Sequence, residues 1–260
     1  GFPIALVSAR LAGGLTLKDM AYWRDGTLDR YTPSGDYVVV PLARWAFEKF
    51  RGVEDKLGTQ MRAVGEVMSL GKTYKEALQK AIRGLETGCM GLGFYKNLHE
   101  LSLKELMAKL AVPTSERQFV LYEALRQGAS VEELHRRTSI HRWFLTQMRE
   151  LVEREEEILA HRGSELPVEL LRLAKGEGFA DAYLAQLLGV SEVSIRAQRT
   201  RAGIVEGWHA VPVSGVENAA YYYSSYNAPD TVPVSTNPNK VMILGGGPNR
   251  IGQGIVFDYC

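Results

Sequence analysis

Apolar residues recur at helical spacing throughout the middle of the chain, from about residue 100 to 205. One such stripe consists of Leu145, Met148, Leu151, Val152, Ile158 and Leu159, which is the periodicity of an amphipathic helix. Serine followed three residues later by glutamate, the capping-box pattern, marks two other helix starts, Ser102–Glu105 and Ser130–Glu133. Ser115 is placed to cap a further segment that ends near Gly128. The pattern predicts an all-helical middle.

Both ends of the chain mix strand and helix patterns. Residues 36–40 include three valines and a tyrosine and predict a strand. Thr73 and Glu76 form another capping box, in front of a helix that Gly88 is placed to end. Residues 240–244 predict a buried strand that runs directly into a glycine-rich turn. The predicted fold class is therefore α/β at both ends and all-α in the middle.

The helix at 145–159 has a charged side opposite its apolar stripe. Its members are Arg149, Glu153, Arg154, Glu155, Glu156 and Glu157, and such a run predicts a solvated helix face without a function. A weak internal repeat is also present, in which Leu134, Ile140 and Leu145 correspond to Leu184, Val190 and Ile195 fifty residues later. The repeat predicts two stacked helix-turn-helix units that bury each other's apolar faces.

Residues 206–240 change character again. They contain four of the ten prolines and four of the twelve tyrosines, namely Pro212, Pro229, Pro233 and Pro238 with Tyr221, Tyr222, Tyr223 and Tyr226. Because few charges accompany them, the composition predicts an extended connector that packs through its aromatic rings.

Composition narrows the class of protein. The 260 residues carry 31 basic and 30 acidic side chains, a net charge of +1, so no bulk attraction to nucleic acid or an anionic membrane is expected. No apolar run approaches the roughly 18 residues of a membrane span.

The length of the chain suggests two domains. Its two distant cysteines, Cys89 and Cys260, favour a reducing compartment such as the cytoplasm. The chain begins without methionine and stops inside a glycine-rich loop, so we expect an internal piece of a longer protein.

The glycine-rich turn is the strongest pattern for a binding site. It contains Gly245, Gly246, Gly247, Asn249, Arg250, Gly252 and Gly254. Glycines let backbone N–H groups approach an anion, and the start of the following helix adds positive potential. The spacing matches neither the dinucleotide motif nor the P-loop, so an anion site and a tight packing turn both remain open.

Residues 184–196 have the pattern of a DNA-binding helix-turn-helix. Arg196, Arg199 and Arg201 are placed to reach phosphates from its second helix. The alternative is a helical hairpin whose apolar residues only pack, and the near-zero net charge favours it. The five histidines show no metal-binding spacing, and no serine or cysteine has the context of a catalytic nucleophile.

Several stretches resemble the large subunit of carbamoyl-phosphate synthase, in order along the whole chain. They are Phe47–Phe50, Thr59–Met68, Ala77–Glu86, Trp143-Phe144-Leu145, Gly178–Asp181, Tyr223–Tyr226, and Gly245–Gly254 followed by Phe257-Asp258-Tyr259. The resemblance implies two ATP-grasp halves joined by a helical oligomerisation domain. On this map residues 1–86 are the tail of the first ATP-grasp unit, and residues 87–232 are the oligomerisation domain with its connector. Residues 233–260 are then the first strand and glycine loop of a Rossmann-like domain that opens the second half.

The resemblance also implies a reaction. The first half makes carboxyphosphate from bicarbonate and ATP, then carbamate with glutamine-derived ammonia. The second half phosphorylates carbamate, and the product, carbamoyl phosphate, serves pyrimidine and arginine biosynthesis. The longer enzyme is expected to need ATP, Mg or Mn, and K, whereas this piece alone is expected to bind no cofactor and to be inactive.

Partners follow from the same resemblance. They are a glutamine amidotransferase small subunit or domain and, through the helical domain, further copies of the chain, with no nucleic acid and no membrane. The helix-turn-helix pattern then serves packing. The alternative interpretation is a non-catalytic helical oligomerisation or DNA-binding module.

Four positions match a carbamate tunnel in that family: Met61, Glu66, Gly254 and Val256. A sealed path suits carbamate because this compound decomposes quickly in bulk water. From the residues alone, core packing for Met61 and an ion pair for Glu66 are the simpler interpretations.

The chain departs from the family pattern at several positions. Val256 stands where the family has a tunnel glutamate, and Pro41 and Ala43 stand where a basic residue and a proline precede Arg44-Trp45. His141 and Pro212 each replace an aspartate. Such departures are typical of a divergent member.

Overall fold

The computed structural model describes residues 4–21, 26–32, 35–45, 47–49, 52–60, 62–211 and 221–244. Its α-helices are α1 (Ile4–Ala12), α2 (Tyr74–Gly84), α3 (Leu103–Lys109), α4 (Arg117–Arg126), α5 (Val131–Thr138), α6 (Arg142–Leu159), α7 (Val168–Gly176), α8 (Asp181–Leu188) and α9 (Glu192–Arg201). Its strands are β1 (Val38–Trp45), β2 (Ala63–Gly71), β3 (Gly207–Ala210) and β4 (Tyr222–Ser225). The all-helical middle is confirmed.

One apolar core runs through the helices from α2 to α9. Its fully buried members include Leu78, Ala81, Ile82, Leu106, Leu121, Leu134, Leu145, Leu151, Leu171 and Leu184. Helix α2 packs against the β1–β2 sheet and also contributes side chains to the same core. As a result, α2 joins the sheet to the helical part of the chain without a break in the packing.

Two of the three capping boxes are confirmed. The Ser102 and Ser130 hydroxyls accept the backbone N–H groups of Glu105 and Glu133, whose carboxylates reach back to the serine N–H groups. At α2 only half of the box forms, since Thr73 accepts from the Glu76 N–H but the Glu76 carboxylate accepts from the Lys72 N–H at 2.9 Å.

The prediction that Ser115 caps a helix is wrong. Helix α4 begins at Arg117 behind Glu116, and the Ser115 hydroxyl and N–H donate to Asp55 instead. An acceptor from a distant segment has displaced the local cap.

The internal repeat is present in space. Helices α5 and α6 form one helix-turn-helix unit and α8 and α9 the other. The two turns pass through left-handed residues, Ser139 with φ +58° and Gly189 with φ +70°. The leading leucines, Leu134 and Leu184, are fully buried, and α6 contacts α8 between the two units. This arrangement is the predicted stacking.

The strands form two separate antiparallel pairs. Strand β1 pairs with β2 and β3 pairs with β4, so the predicted strand at 36–40 exists but runs from residue 38 to 45. Leu42 and Val67 are buried on the side that packs on α2. The other side of the β1–β2 sheet, which we call the open face, exposes Val39, Pro41, Val64, Glu66 and Met68.

The predicted buried strand at 240–244 is wrong for this structure. These residues have no regular structure, and Val241, Met242, Ile243 and Leu244 are 84–91% exposed. A strand of this composition needs neighbours on both sides, and among the described strands none pairs with it.

The connector is partly as predicted. The rings of Tyr223 and Tyr226 pack inward, whereas Tyr221 and Tyr222 are exposed. Strands β3 and β4 make part of this stretch regular where an extended chain was expected. Within the described ranges, no helix is both long and apolar enough to cross a membrane.

Candidate functional site

Glu66 is the only tunnel position within the described residues, and it lies on the open face. Its directly opposed residue on β1 is Ala43, and Val64 and Met68 flank it on the same side of β2. In the described part of the chain the carboxylate has neither an ion pair nor a hydrogen bond, so the expected ion pair is absent there. Among the described residues, Glu66 is thus the one charged side chain on an otherwise apolar sheet face.

The other predicted site residues lie outside the described residues. These are Met61, Val256, the glycine-loop residues Gly245, Gly246, Gly247, Asn249, Arg250, Gly252 and Gly254, and also Pro212 among the departures. The tunnel and the anion site therefore stay predictions.

The three arginines of the helix-turn-helix pattern are each paired with a carboxylate. Arg196 lies 3.0 Å from Glu192, Arg199 lies 2.7 Å from Asp181, and Arg201 lies 2.8 Å from Glu165. Paired guanidinium groups offer little net charge to a phosphate backbone. The geometry favours the packing interpretation of this pattern.

His141 caps helix α6. Its Nδ1 accepts the backbone N–H of Trp143 at 3.2 Å. An aspartate at an N-cap would accept the same kind of bond. His141 therefore supplies an acceptor of the kind expected from an aspartate at this position.

The charged side of α6 contains one member that is not solvated. Glu155 is fully buried, which corrects the prediction for this residue. Its Oε2 accepts hydrogen bonds from Tyr122 at 2.8 Å and Tyr183 at 2.6 Å, and Arg126 donates to its Oε1. Burial and the Glu155 charge raise the pKa of both tyrosines well above the usual range, so both remain protonated donors.

The loop that follows α2 is anchored on this network. The Gly93 N–H donates to the Tyr183 hydroxyl at 3.1 Å, and the Phe94 ring lies 4.5 Å from the Arg126 guanidinium carbon. A Cβ at Gly93 would collide with Arg126, Glu155 and Tyr183. The network thereby joins α4, α6, α8 and the loop.

A second buried carboxylate joins α2 to the connector. Glu76 is 1% exposed, and its Oε2 accepts from Ser225 at 3.0 Å and Asn227 at 2.9 Å. Lys80 lies 2.8 Å from the other oxygen and donates to the Ser224 carbonyl at 2.6 Å. The connector is therefore held against α2 by a charged pair and not by its aromatic rings alone.

A cleft of about 910 Å³ lies between β1, the end of α2 and the start of α4. Its wall combines Arg44, Glu86, Cys89 and the Lys96–Glu116 ion pair with aromatic rings. Within the described ranges no group of three or more His, Cys, Asp or Glu could hold a metal ion. The mixed wall does not select one ligand chemistry.

Comparison with known proteins assigns the family. Residues 66–203 match the family described as carbamoyl-phosphate synthetase large chain, oligomerisation domain. The chain belongs to this family. Over its whole length it is 47% identical to the carbamoyl phosphate synthase large chain of Halomonas eurihalina, 43% identical to that of Thermotoga neapolitana and 42% identical to that of Synechocystis sp..

The matched region agrees with the packing. It starts in β2, includes α2, and ends just after α9, so it contains most of the shared apolar core. The chain spans about a quarter of the length of the curated relatives it matches, since it covers 25%, 23% and 24% of the three named.

Proposed function

We propose that this chain is the central scaffold of a carbamoyl-phosphate synthase large subunit and that its helical part mediates self-association. The observation that carries the proposal is the continuous helical core from α2 to α9, which coincides with the region matching an oligomerisation domain. The domain map proposed is the tail of an ATP-grasp unit at 1–86, the oligomerisation domain and connector at 87–232, and the start of a Rossmann-like second half at 233–260. On this map α2 closes the first unit and joins it to the second by packing in the helical core.

The reaction belongs to the longer synthase. It is proposed to use bicarbonate, glutamine-derived ammonia and two ATP, with Mg or Mn and K, and to depend on a glutamine amidotransferase partner. The ATP and metal sites are proposed to lie in the rest of that enzyme. The piece alone is then inactive, and the parent is proposed to work in the cytoplasm.

The open face is proposed to form part of the carbamate path. Its support is the lone Glu66 carboxylate among Val64, Met68 and Ala43. An apolar wall with one polar group excludes water without closing on the substrate, which suits an intermediate that water destroys. Met61, Gly254 and Val256 are proposed to continue the same path.

Sedimentation of the 260-residue chain tests the scaffold. We expect a concentration-dependent rise from monomer to a defined oligomer. A chain that remains monomeric at every accessible concentration would contradict the proposed self-association.

Titration with MgATP tests the domain map. The chain should show no calorimetric signal for micromolar binding. Micromolar affinity would mean that an ATP site lies within residues 1–260, against the map.

The tunnel assignment is tested by Glu66→Ala in the full-length enzyme. We expect more ATP hydrolysed per carbamoyl phosphate formed, because a leaking path wastes carbamate. Glu153→Ala, which removes an exposed carboxylate from α6, is the matched control. If the ratio of ATP hydrolysed to carbamoyl phosphate formed is the same in both variants, Glu66 is not part of the tunnel.

A further inference from the structure

One buried ion pair connects the strand that carries Glu66 to the connector. Glu76 and Lys80 lie one turn apart on α2, and the Lys80 Nζ is 2.8 Å from the Glu76 Oε1. The same Nζ donates to the Leu70 carbonyl at the end of β2, at 2.8 Å, and to the Ser224 carbonyl of β4, at 2.6 Å. A single ammonium group therefore bridges α2, β2 and the connector.

The other oxygen of Glu76 receives the connector side chains. Its Oε2 accepts the Lys72 N–H at 2.9 Å, the Ser225 hydroxyl at 3.0 Å and the Asn227 amide at 2.9 Å. The Asn227 amide also donates to the Gly176 carbonyl at the end of α7, at 2.7 Å. The connector is thus fixed at the same point to α2 and to α7.

Burial makes these contacts depend on one another. Glu76 is 1% exposed, and burial lowers the pKa of Lys80, an effect that the contact with Glu76 only partly offsets. If residues 224–227 moved away, Glu76 would lose two of the three donors to its Oε2 and Lys80 would lose an acceptor. Buried charges without these partners are costly, so the connector has one favoured position against β2.

We propose that Glu76 and Lys80 are positioning residues for carbamate transfer. They hold the connector, and with it the chain that leads into the second half, in a fixed place relative to β2 and Glu66. The inference rests on the proposed carbamate path and adds the residues that keep its two parts aligned. A connector that shifts opens the path to water, and carbamate is then lost before it is phosphorylated.

The test uses Ser225→Ala in the full-length enzyme, because this variant removes one donor to Glu76 and keeps the ion pair. We expect more ATP hydrolysed per carbamoyl phosphate formed. We also expect exchange of the amides of residues 222–227 to be about tenfold faster, since a hydrogen bond to a charged group contributes that much to local closure. Asn227→Ala, at an exposed residue, should raise the same ratio.

Two further variants separate positioning from folding. Ser225→Thr keeps the hydroxyl and should retain the ratio of the unaltered enzyme. Ser224→Ala is the matched control, because Lys80 uses the carbonyl of Ser224, which the variant keeps, and it should change neither readout.

The outcomes distinguish this inference from the function on which it rests. A purely structural role of the pair would lower stability and the amount of active enzyme in Ser225→Ala without changing the ratio, and would overturn the inference. If Glu66→Ala raises the ratio but Ser225→Ala and Asn227→Ala do not, the carbamate path stands and the positioning role is wrong. If none of the three variants raises it, both are wrong. An equal rise in Ser224→Ala would also overturn the role of the Glu76 contacts.

Discussion

Glu155 shows how one residue can connect several helices. A carboxylate with no exposed surface accepts from two tyrosines and one arginine. Removing one partner of such a network leaves the others buried without a counter-charge or acceptor, and this loss is larger than the net contribution of the intact network.

We therefore expect Glu155→Gln to destabilise the chain by about 1–3 kcal/mol. The amide keeps the shape but removes the charge that Tyr122, Tyr183 and Arg126 face, and Arg126 keeps its contacts with Glu123 and Glu156. Urea unfolding measures the change, and Glu153→Gln, at an exposed position of the same helix, should stay within about 0.5 kcal/mol. Similar losses in both variants would show that the buried network contributes little.

At His141, by contrast, a substitution is expected to increase the stability of the chain. His141→Asp should stabilise the chain by about 0.5–1 kcal/mol, because a carboxylate caps the N-terminus of α6 and also interacts favourably with the helix dipole. Thermal unfolding at neutral pH checks the sign, with His99→Asp as the control outside an N-cap. A loss of stability at His141→Asp would mean that the imidazole has contacts the carboxylate cannot replace.

At the scale of elements, the loop after α2 is held in place by close contacts with side chains of α4, α6 and α8 and not by regular structure. Glu86, Phe94 and Lys96 adopt positive φ in this loop, and Gly93 leaves no room for a side chain against Arg126, Glu155 and Tyr183. The loop, α4, α6 and α8 therefore depend on one another for their positions.

Gly93→Ala should cost about 1–3 kcal/mol, the range for overpacking a filled site. Hydrogen exchange should also rise in the loop and in the facing parts of α4 and α8. Gly58→Ala is the matched control because a Cβ there meets nothing within 4 Å. If both variants unfold at the same urea concentration, the loop has shifted without cost and the anchoring is weaker than its geometry indicates.

At the scale of the whole molecule, buried ion pairs connect the parts. Asp181 at the start of α8 lies 2.7 Å from both Lys175 at the end of α7 and Arg199 of α9. Burial alone would raise the pKa of Asp181, but the bonds from Lys175 and Arg199 outweigh it and hold that pKa below its ordinary value.

Because the folded-state pKa of Asp181 is lowered, its stabilisation is present above the ordinary carboxyl pKa and is lost as pH falls through the folded value. Stability should decrease from about pH 4 downward. Asp181→Asn should reduce this pH dependence and lower stability at neutral pH. Urea midpoints from pH 2.5 to 7 measure both effects, with Glu153→Gln as the control; identical profiles in the two variants would exclude Asp181 as a source of acid sensitivity.

Local patterns determined much of this fold before any tertiary contact was known. The helical middle, the capping boxes at Ser102 and Ser130, and the repeat that relates Leu134 to Leu184 follow from short-range spacing. A cap satisfies helix N–H groups within three residues, and a helical period needs no distant partner. The ordered motifs that resemble the synthase family likewise depend on sequence alone, and the family assignment confirmed them.

Tertiary structure decided the features that depend on a partner far along the chain. Glu155 lies three residues after Val152 and four after Leu151, so its spacing places it on the apolar side of α6. A buried carboxylate is stable at this position only because Tyr122, Arg126 and Tyr183 donate hydrogen bonds to it, and those partners come from other elements. Ser115 does not cap a helix as predicted, because its hydroxyl donates to Asp55, sixty residues away. Residues 240–244 have the composition of a buried strand and remain exposed, because hydrogen bonds between strands require a neighbour that the sequence of one strand cannot supply.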